Sequence, residues 1–186
     1  MKRCFDVVMA VVLAILLAVP MLIIAAVVKL TSPGPILYWS DRVGRDSVLF
    51  SMPKFRSMRV DAPALPTHLM TDGRSYLTPV GGFLRRSSLD EFPQLWSILR
   101  GDMSFVGPRP ALFNQDDLMA LRCAAGVDKL RPGLTGWAQV NGRDELSIAD
   151  KVALETDYLR RRSFAHDLYI LWLTALKVLR GSGVSH

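Results

Sequence analysis

The sequence predicts a mainly α-helical protein with a small β-hairpin, an α+β fold attached to a membrane by its N-terminal segment. Three observations predict it. Residues 7–28 are apolar without a break, which is long enough for a membrane helix. Residues 36–42 and 47–52 carry the β-branched and aromatic residues typical of two short strands around a turn. Helical spacing of apolar residues then recurs in 92–99, 111–125, 148–162 and 166–180.

Length and composition limit the class of protein. A chain of 186 residues suffices for one domain with a modest core. Half of the residues are hydrophobic, 22% are charged and the net charge is +6, which fits neither an ordinary soluble domain nor a membrane protein with several spans. The positive charge predicts attraction to phospholipid headgroups, nucleotide phosphates or nucleic acid. Cys4 and Cys123 lack Cys or His neighbours at metal-ligand spacing, so a reduced cytosolic setting is expected.

The apolar segment 7–28 admits two topologies. As a straight helix it would be about 33 Å long, enough to cross a bilayer. Pro20 removes one helical hydrogen bond and clashes with the carbonyl four residues earlier, so a kink is expected between residues 16 and 20. Positive residues flank both ends of the segment: Lys2, Arg3, Lys29, Arg42 and Arg45. Both ends therefore favour the cytosolic side, which suits a bent, re-entrant helix, but the residues alone leave a single span open as well.

A turn and the hairpin follow this segment. Residues 31–35 carry turn-forming Pro and Gly, and Pro53 is expected to end the second strand. A basic cluster comes next, formed by Lys54, Arg56 and Arg59. Such a cluster is either a solvated face or a contact for phosphates or headgroups. Residues 61–76 lack periodicity and are predicted to form a surface loop.

The stretch 87–110 is the most suited to chemistry, because two adjacent carboxylates, Asp90 and Glu91, open an apolar helical pattern. Ser88 and Glu91 match a capping box, which explains them without any catalytic role. Pro93 argues against that cap, since it would fall beyond the four N–H groups that a helix start leaves free. A cap at Asp90 instead makes Pro93 the third helical residue, where its missing donor costs little.

A cap at Asp90 would also give this residue a chemical role. The helix dipole and the free N–H groups would keep its carboxylate ionised and would attract phosphate. An ionised aspartate in such a place can act as a nucleophile or bind Mg²⁺. From the residues alone, structural capping and catalysis are equally good explanations.

Several arginines accompany the carboxylates. Arg85 and Arg86 stand just ahead of them and could form ion pairs without catalytic meaning. Arg109 lies between two prolines in a rigid segment, from which its guanidinium could bind a phosphate. Arg131 and Arg143 bracket a Gly-rich loop whose backbone N–H groups can line an anion site.

The last two helical patterns suit a membrane interface. The helix over 148–162 ends in three consecutive arginines. The helix over 166–180 is too short to span a bilayer, yet its Tyr, Trp, Lys and Arg residues are typical of an amphipathic helix that lies in the interface. Packing into the protein core is the alternative.

Five motifs occur in order along the chain: Ser-Leu-Asp-Glu at 88–91, Gln-Leu at 94–95, Gly-Asp-Met-Ser-Phe-Val-Gly-Pro-Arg-Pro at 101–110, Arg-Pro-Gly-Leu-Thr-Gly-Trp-Ala-Gln-Val-Asn-Gly-Arg at 131–143, and Leu-Thr-Ala-Leu-Lys-Val-Leu at 173–179. Together they resemble the bacterial sugar transferase family, the monotopic phosphoglycosyl transferases, and the resemblance runs from Lys2 to Ser185. It implies a membrane enzyme at the cytosolic face of the bacterial inner membrane, in contact with membrane lipids and not with nucleic acid. Such enzymes transfer a sugar 1-phosphate from a UDP-sugar to polyprenol (undecaprenyl) phosphate and release UMP, the first membrane step of glycoconjugate assembly.

The resemblance also assigns roles to residues. Asp90 is implied as the nucleophile that attacks the β-phosphate and as a ligand of the cofactor Mg²⁺, which gives a covalent phosphosugar enzyme and ping-pong kinetics. Glu91 is implied as a neighbouring acid/base or positioning carboxylate. The implied phosphate contacts are Lys54, Arg85 and Arg109, with Arg131 and Arg143 as further candidates.

Two regions are implied as well: a re-entrant membrane helix in residues 1–30 and a cytosolic catalytic domain in 31–186, packed on the membrane interface. Family members break that helix at a Ser-Pro pair. Here Val19 precedes Pro20, so the bend depends on Pro20 alone.

Two further departures from the family pattern are Pro53, in place of a common aromatic residue, and Glu155, in place of an Asp. The sugar and the oligomeric state stay open. Two other functions are compatible with the residues: a Mg²⁺-dependent nucleotide-sugar phosphohydrolase, and a non-catalytic, basic, membrane-anchored protein that binds anions.

Overall fold

The computed structural model describes residues 1–62, 75–142 and 145–180. Its helices are α1 (Lys2–Leu16), α2 (Ala18–Thr31), α3 (Gly81–Arg86), α4 (Leu95–Arg100), α5 (Asp116–Ala124), α6 (Trp137–Val140), α7 (Ile148–Arg161) and α8 (Phe164–Arg180). Its strands are β1 (Leu37–Val43), β2 (Leu49–Phe55), β3 (Ser104–Val106), β4 (Ala111–Leu112) and β5 (Gly133–Thr135). The predicted mainly α-helical fold with small sheets is confirmed, whereas most of the surface loop expected over 61–76 lies outside the described residues.

The N-terminal apolar segment forms two helices joined by a sharp bend. α1 ends at Leu16 and α2 begins at Ala18, and the two helices are bent by 62° relative to each other. Pro20 lies in the first turn of α2, and its missing N–H leaves the Leu16 carbonyl without its helical donor. The expected kink is therefore confirmed. Among the described residues no single helix is long and apolar enough to cross a membrane, whereas the bent pair is by length and composition.

α1 and α2 together have a buried and an exposed side. Ala10, Ile24 and Val28 are buried against the rest of the protein. The large apolar side chains on the other side, each between 59% and 85% exposed, are Val8, Ile15, Leu16, Val19, Leu22, Ile23 and Leu30. An apolar surface of this kind marks contact with another molecule or with a membrane.

Polar side chains of α1 attach it to the rest of the protein. Lys2 Nζ donates to the Asp167 carboxylate over 2.6 Å, and the Ser104 hydroxyl donates to Asp6 over 2.9 Å. Arg3 donates to two carbonyl groups at the end of α4. Asp6 and Asp167 are buried, and a buried charge needs its partners. These contacts fix the beginning of α1 against the body of the protein.

A three-stranded antiparallel sheet, in the order β2-β1-β4, confirms the hairpin and adds a strand to it. Its register places Tyr38 opposite Lys54 and Arg42 opposite Phe50. The expectation that Pro53 ends the second strand is wrong, because β2 continues beyond it. Since β2 is an edge strand, a residue without an N–H group is tolerated there.

The later helices differ in how well they match the predicted ranges. The helix expected over 111–125 is shorter, because residues 111–112 pair with β1 as β4 and only Asp116–Ala124 is helical. α7 and α8 begin and end within two residues of the predictions. α8 buries Ile170 and leaves Tyr169 and Trp172 about half exposed, so one side packs into the core and the other is available to an interface.

A small parallel sheet of β3 and β5 brings the Gly-rich loop against the segment that carries Arg109. A Cβ atom on Gly107 would lie 2.2 Å from the Arg131 carbonyl oxygen, and one on Gly136 would lie 2.0 Å from the Gly107 carbonyl oxygen. Glycine is therefore required at both positions for the two segments to lie this close.

Candidate active site

The carboxylate pair lies in a short 3₁₀ helix, Leu89–Gln94, and not at the start of an α-helix. Ser88 precedes it in the left-handed conformation, with φ 56°, and its side chain makes no capping bond. The capping box is therefore not formed. The cap expected at Asp90 is also wrong, because Asp90 is the second residue of the 3₁₀ helix. A positive φ is uncommon for a residue other than glycine, and here it occurs two residues before the carboxylate of interest.

Asp90 is the buried member of the pair, with only 6% of its surface exposed. Burial raises the pKa of Asp90 above its ordinary value, and the negative charge of Glu91 acts in the same direction. Three cations act in the opposite direction, namely Lys54, Arg85 and Arg109. Ionisation of Asp90 is thus opposed by desolvation, and these cations offset part of that cost.

Glu91 holds two of the predicted cations. Its carboxylate accepts a hydrogen bond from Lys54 Nζ over 2.8 Å and lies 3.6 Å from Arg109 Nη2. Lys54 lies on β2, 37 residues earlier in the chain, and Arg109 lies between β3 and β4. The carboxylate of Glu91 therefore sets the relative positions of a strand cation and a loop cation.

A small cleft opens beside Glu91, whereas Asp90 is not among the residues that line it. Lys54, Glu91 and Arg109 line it together with Arg42, Met52, Gln94, Pro110, Gly133 and Leu134. Three of these residues are cations around a single carboxylate, so the cleft has a net positive charge. Positive side chains around a small polar space are suited to binding phosphate oxygens.

Arg42 is a cleft residue that the sequence did not identify as part of the site. Its Nη1 donates to the Pro110 carbonyl over 3.2 Å, and its Nε donates to the Ser40 hydroxyl over 3.0 Å. Burial lowers the pKa of Arg42 to about 10, and the neighbouring Arg109 lowers it in the same direction. Arg42 still carries its charge at neutral pH. The guanidinium groups of Arg42 and Arg109 both line this partly desolvated cleft, and their mutual repulsion favours an anionic ligand between them.

The remaining predicted cations differ in their relation to the cleft. Arg85, at the end of α3, acts on the charge of Asp90 but does not line the cleft. Arg131 is exposed and is not among the residues that line the cleft. Arg143 lies outside the described residues. The structure thus places Lys54 and Arg109 in the cleft and Arg85 beside Asp90.

The residues fit a magnesium ion only with the help of a substrate. Among the described residues no group of three or more His, Cys, Asp or Glu side chains could hold a metal. Mg²⁺ is often bound by one or two carboxylates together with substrate phosphates and water. Since Glu91 is engaged by Lys54 and Arg109, Asp90 is the residue that would hold Mg²⁺ together with phosphate oxygens.

The family model described as bacterial sugar transferase matches residues 1–181. "UDP-glucose:undecaprenyl-phosphate glucose-1-phosphate transferase" of Escherichia coli (strain K12) is 38% identical over 184 residues, which cover 95% of this chain and 40% of that protein. "Uncharacterized sugar transferase EpsL" of Bacillus subtilis (strain 168) is 38% identical, over 99% of this chain and 90% of that protein. "Exopolysaccharide production protein ExoY" of Rhizobium meliloti (strain 1021) is 39% identical, over 97% and 87%. The chain therefore spans less than half of the first relative and most of the other two.

Proposed function

Because the chain belongs to the bacterial sugar transferase family, we propose that it transfers a sugar 1-phosphate from a UDP-sugar to polyprenol phosphate and releases UMP. The names of several relatives describe transfer of this kind. The observation that carries the proposal is that the buried Asp90 directly precedes the cleft residue Glu91 and that two cleft cations, Lys54 and Arg109, act on its charge. Phosphoryl transfer requires a nucleophile and cations around the phosphate oxygens, and these residues supply both.

In the first proposed step, an Asp90 carboxylate oxygen attacks the β-phosphorus of the UDP-sugar. A phosphorus–oxygen bond forms to Asp90, and the bond between the β-phosphorus and the bridging oxygen breaks, so that UMP leaves with that oxygen. The sugar phosphate is now held as an acyl phosphate on Asp90. The cleft cations offset the negative charge of the phosphate oxygens, which would otherwise repel the approaching carboxylate.

In the second proposed step, a phosphate oxygen of polyprenol phosphate attacks the same phosphorus. The new diphosphate bond forms, the bond to Asp90 breaks, and Asp90 regains its free carboxylate. When bound, Mg²⁺ would supply neutralisation of the phosphate charge. Glu91 acts here through position, because it fixes Lys54 and Arg109 at the cleft.

A UMP-release assay over a panel of UDP-sugars, with polyprenol phosphate added or withheld, tests the proposal. We expect sustained UMP release only when both substrates are present, together with a sugar-diphosphate lipid product. Sustained release without the lipid would favour a nucleotide-sugar phosphohydrolase. Absence of release with every sugar would favour a non-catalytic anion-binding protein.

The activity is expected to fall on the acid side at a pH above the ordinary aspartate pKa of about 3.9. The attacking group is the ionised carboxylate, and burial raises the pKa of Asp90. Protonation therefore removes the nucleophile at a higher pH than it would for an exposed aspartate. A profile of kcat/KM against pH, whose acid limb is the fall in activity toward low pH, measures the position of this fall. An acid limb centred at or below the ordinary aspartate pKa of about 3.9 would contradict the assignment.

We further propose that the bent α1–α2 pair is a re-entrant membrane helix, with both ends at the cytosolic face of the bacterial inner membrane. Its exposed apolar side supports membrane contact. Lys2 contacts Asp167, and Arg3 contacts the end of α4. The beginning of α1 thus lies on the same body as the domain that follows α2, which supports entry and exit through one leaflet.

Labelling of the two native cysteines tests this topology. Cys4, near the start of α1, and Cys123, on α5, are both exposed. We expect a membrane-impermeant maleimide to label neither in intact spheroplasts and to label both after lysis. Cys123→Ser isolates the signal of Cys4, and Cys4→Ser provides the matched control. Labelling of Cys4 in intact spheroplasts would show that the segment spans the bilayer.

A further inference from the structure

A buried ion pair lies outside the cleft, between two helices that carry none of the cleft residues. Arg122, on α5, donates through Nε to Glu155 Oε2 over 2.8 Å and through Nη2 to Glu155 Oε1 over 2.5 Å. Arg122 is 4% exposed and Glu155, on α7, is 2% exposed. Both charges are therefore removed from water almost completely.

Stability alone is a weak explanation for such a pair. Taking two charges out of water is costly, and well-packed apolar residues of similar volume often stabilise a fold at least as well. Arg122 makes one further contact, because Nη2 also donates to the carbonyl oxygen of Arg109 over 3.0 Å. The buried pair thus ends on the backbone of a residue whose side chain lines the cleft.

The backbone around Arg109 is held mainly through its carbonyl groups. Pro108 and Pro110 have no N–H groups, so this segment cannot be fixed by a regular strand ladder. Its three carbonyl groups each accept one hydrogen bond from a different element. Gly133 N–H donates to Pro108 over 2.8 Å, Arg122 donates to Arg109 over 3.0 Å, and Arg42 donates to Pro110 over 3.2 Å.

The three donors differ in their relation to the cleft. Gly133 and Arg42 line it themselves, whereas Arg122 does not. Arg122 can keep its orientation toward the Arg109 carbonyl because both of its other hydrogen bonds go to the buried Glu155. A planar guanidinium holds several donors in fixed directions, so Arg122 can serve Glu155 and the Arg109 carbonyl at once.

We propose that Arg122 and Glu155 form a positioning pair that fixes the Arg109 backbone, and through it the place at which the Arg109 guanidinium meets substrate phosphate. The inference rests on the proposed function for the identity of that anion. Neither residue lines the cleft, so their loss should act only through Arg109.

A double-mutant cycle on UDP affinity tests the proposal. The pair is replaced by the apolar double variant Arg122→Met/Glu155→Leu, in the wild-type chain and in Arg109→Ala, and the Kd of UDP is measured by calorimetry. In the wild-type background we expect UDP to bind about tenfold more weakly, because a guanidinium displaced by about 1 Å loses most of its phosphate contact. In the Arg109→Ala background we expect a change of less than about twofold, since the coupled group is already absent.

Two further variants separate positioning from general loss of structure. The first is Val152→Ala. Val152 lies on the same helix as Glu155, in the cluster that packs α7 against α5. This variant should lower Tm through the lost packing and leave the Kd of UDP unchanged. Arg122→Lys retains the charge for Glu155 but loses the fork that also reaches Arg109, and it replaces the double variant in the cycle if that variant does not fold.

Equal fold-changes in Kd in the two backgrounds would overturn the proposal, as would an unchanged Kd in the wild-type background. Polyprenol-dependent UMP release by the wild-type protein is scored separately. A protein that binds UDP with the expected non-additivity but transfers no sugar phosphate would refute the proposed function and retain the positioning pair. Active transfer together with additive effects on Kd would support the proposed function and refute the positioning pair.

Discussion

Asp90→Asn is expected to abolish UMP release, with a fall in kcat of at least about four orders of magnitude. The amide has nearly the same shape as the carboxylate, but it cannot attack phosphorus or form an acyl phosphate. UMP release from the best UDP-sugar, in the presence of polyprenol phosphate, measures the loss. Asp117→Asn, an exposed position on α5, is the matched control and should retain wild-type activity.

Asp90→Asn is also expected to be at least as stable as the wild-type protein at neutral pH. Burial raises the pKa of Asp90, so the folded state binds a proton more tightly than the unfolded state does. The charged form therefore destabilises the fold at pH values above the folded pKa. The Tm advantage of Asp90→Asn should shrink as pH falls through that pKa and vanish below about 3.9, the ordinary aspartate value. A variant that is both inactive and strongly destabilised at neutral pH would point to a structural role for Asp90.

Lys54→Met is expected to lower kcat/KM by about two to three orders of magnitude, because it removes a cation that lines the cleft and that, in the proposed mechanism, faces the developing phosphate charge. Lys54 also offsets part of the effect of burial on the pKa of Asp90. Its loss should therefore shift the acid limb of the pH profile to higher pH. The shift is measured as the pH at which kcat/KM falls to half of its plateau.

Arg100→Met is the charge control for this experiment. Arg100 is largely exposed at the end of α4 and pairs with Asp102, so its loss changes the net charge by the same amount without altering the cleft. It should change kcat/KM only slightly, as expected for a screened surface charge. If both variants lose activity equally, the effect of Lys54 is one of net charge and its assignment to the cleft is wrong.

The residues at the centre of the candidate site could be predicted from the sequence because they stand in motifs. Asp90 and Glu91 are adjacent, and Arg109 is enclosed by prolines, so their chemistry is visible without knowledge of the fold. Lys54 lies 37 residues before Glu91, and the family resemblance was needed to connect the two. The structure brings Lys54 and Arg109 together at Glu91.

Arg42 was missed because its role depends on strand register. The sequence predicts the hairpin, and alternation along a strand places Ser40 and Arg42 on one face. The side chains that meet across the hairpin are known only from its register, which places Tyr38 opposite Lys54. With that register, Arg42 could have been placed on the same face as Lys54.

Two other features depend on contacts that are distant in the chain. The start of the carboxylate segment was misjudged because rules for α-helix caps do not apply to a 3₁₀ helix. The contact of Arg122 with the Arg109 carbonyl depends on how α5 and α7 pack, which no local pattern specifies. By contrast, the bend near Pro20 follows from one residue and was predictable.

Mass analysis of the protein after incubation with a UDP-sugar, in the absence of polyprenol phosphate, tests covalent transfer through Asp90 most directly. We expect one sugar phosphate to be added per active chain, a matching single release of UMP, and an adduct that maps to the peptide containing Asp90. Addition of polyprenol phosphate should remove the adduct and form the lipid product. Full turnover to lipid product without an adduct on Asp90, or the same adduct on the Asp90→Asn variant, would contradict this mechanism.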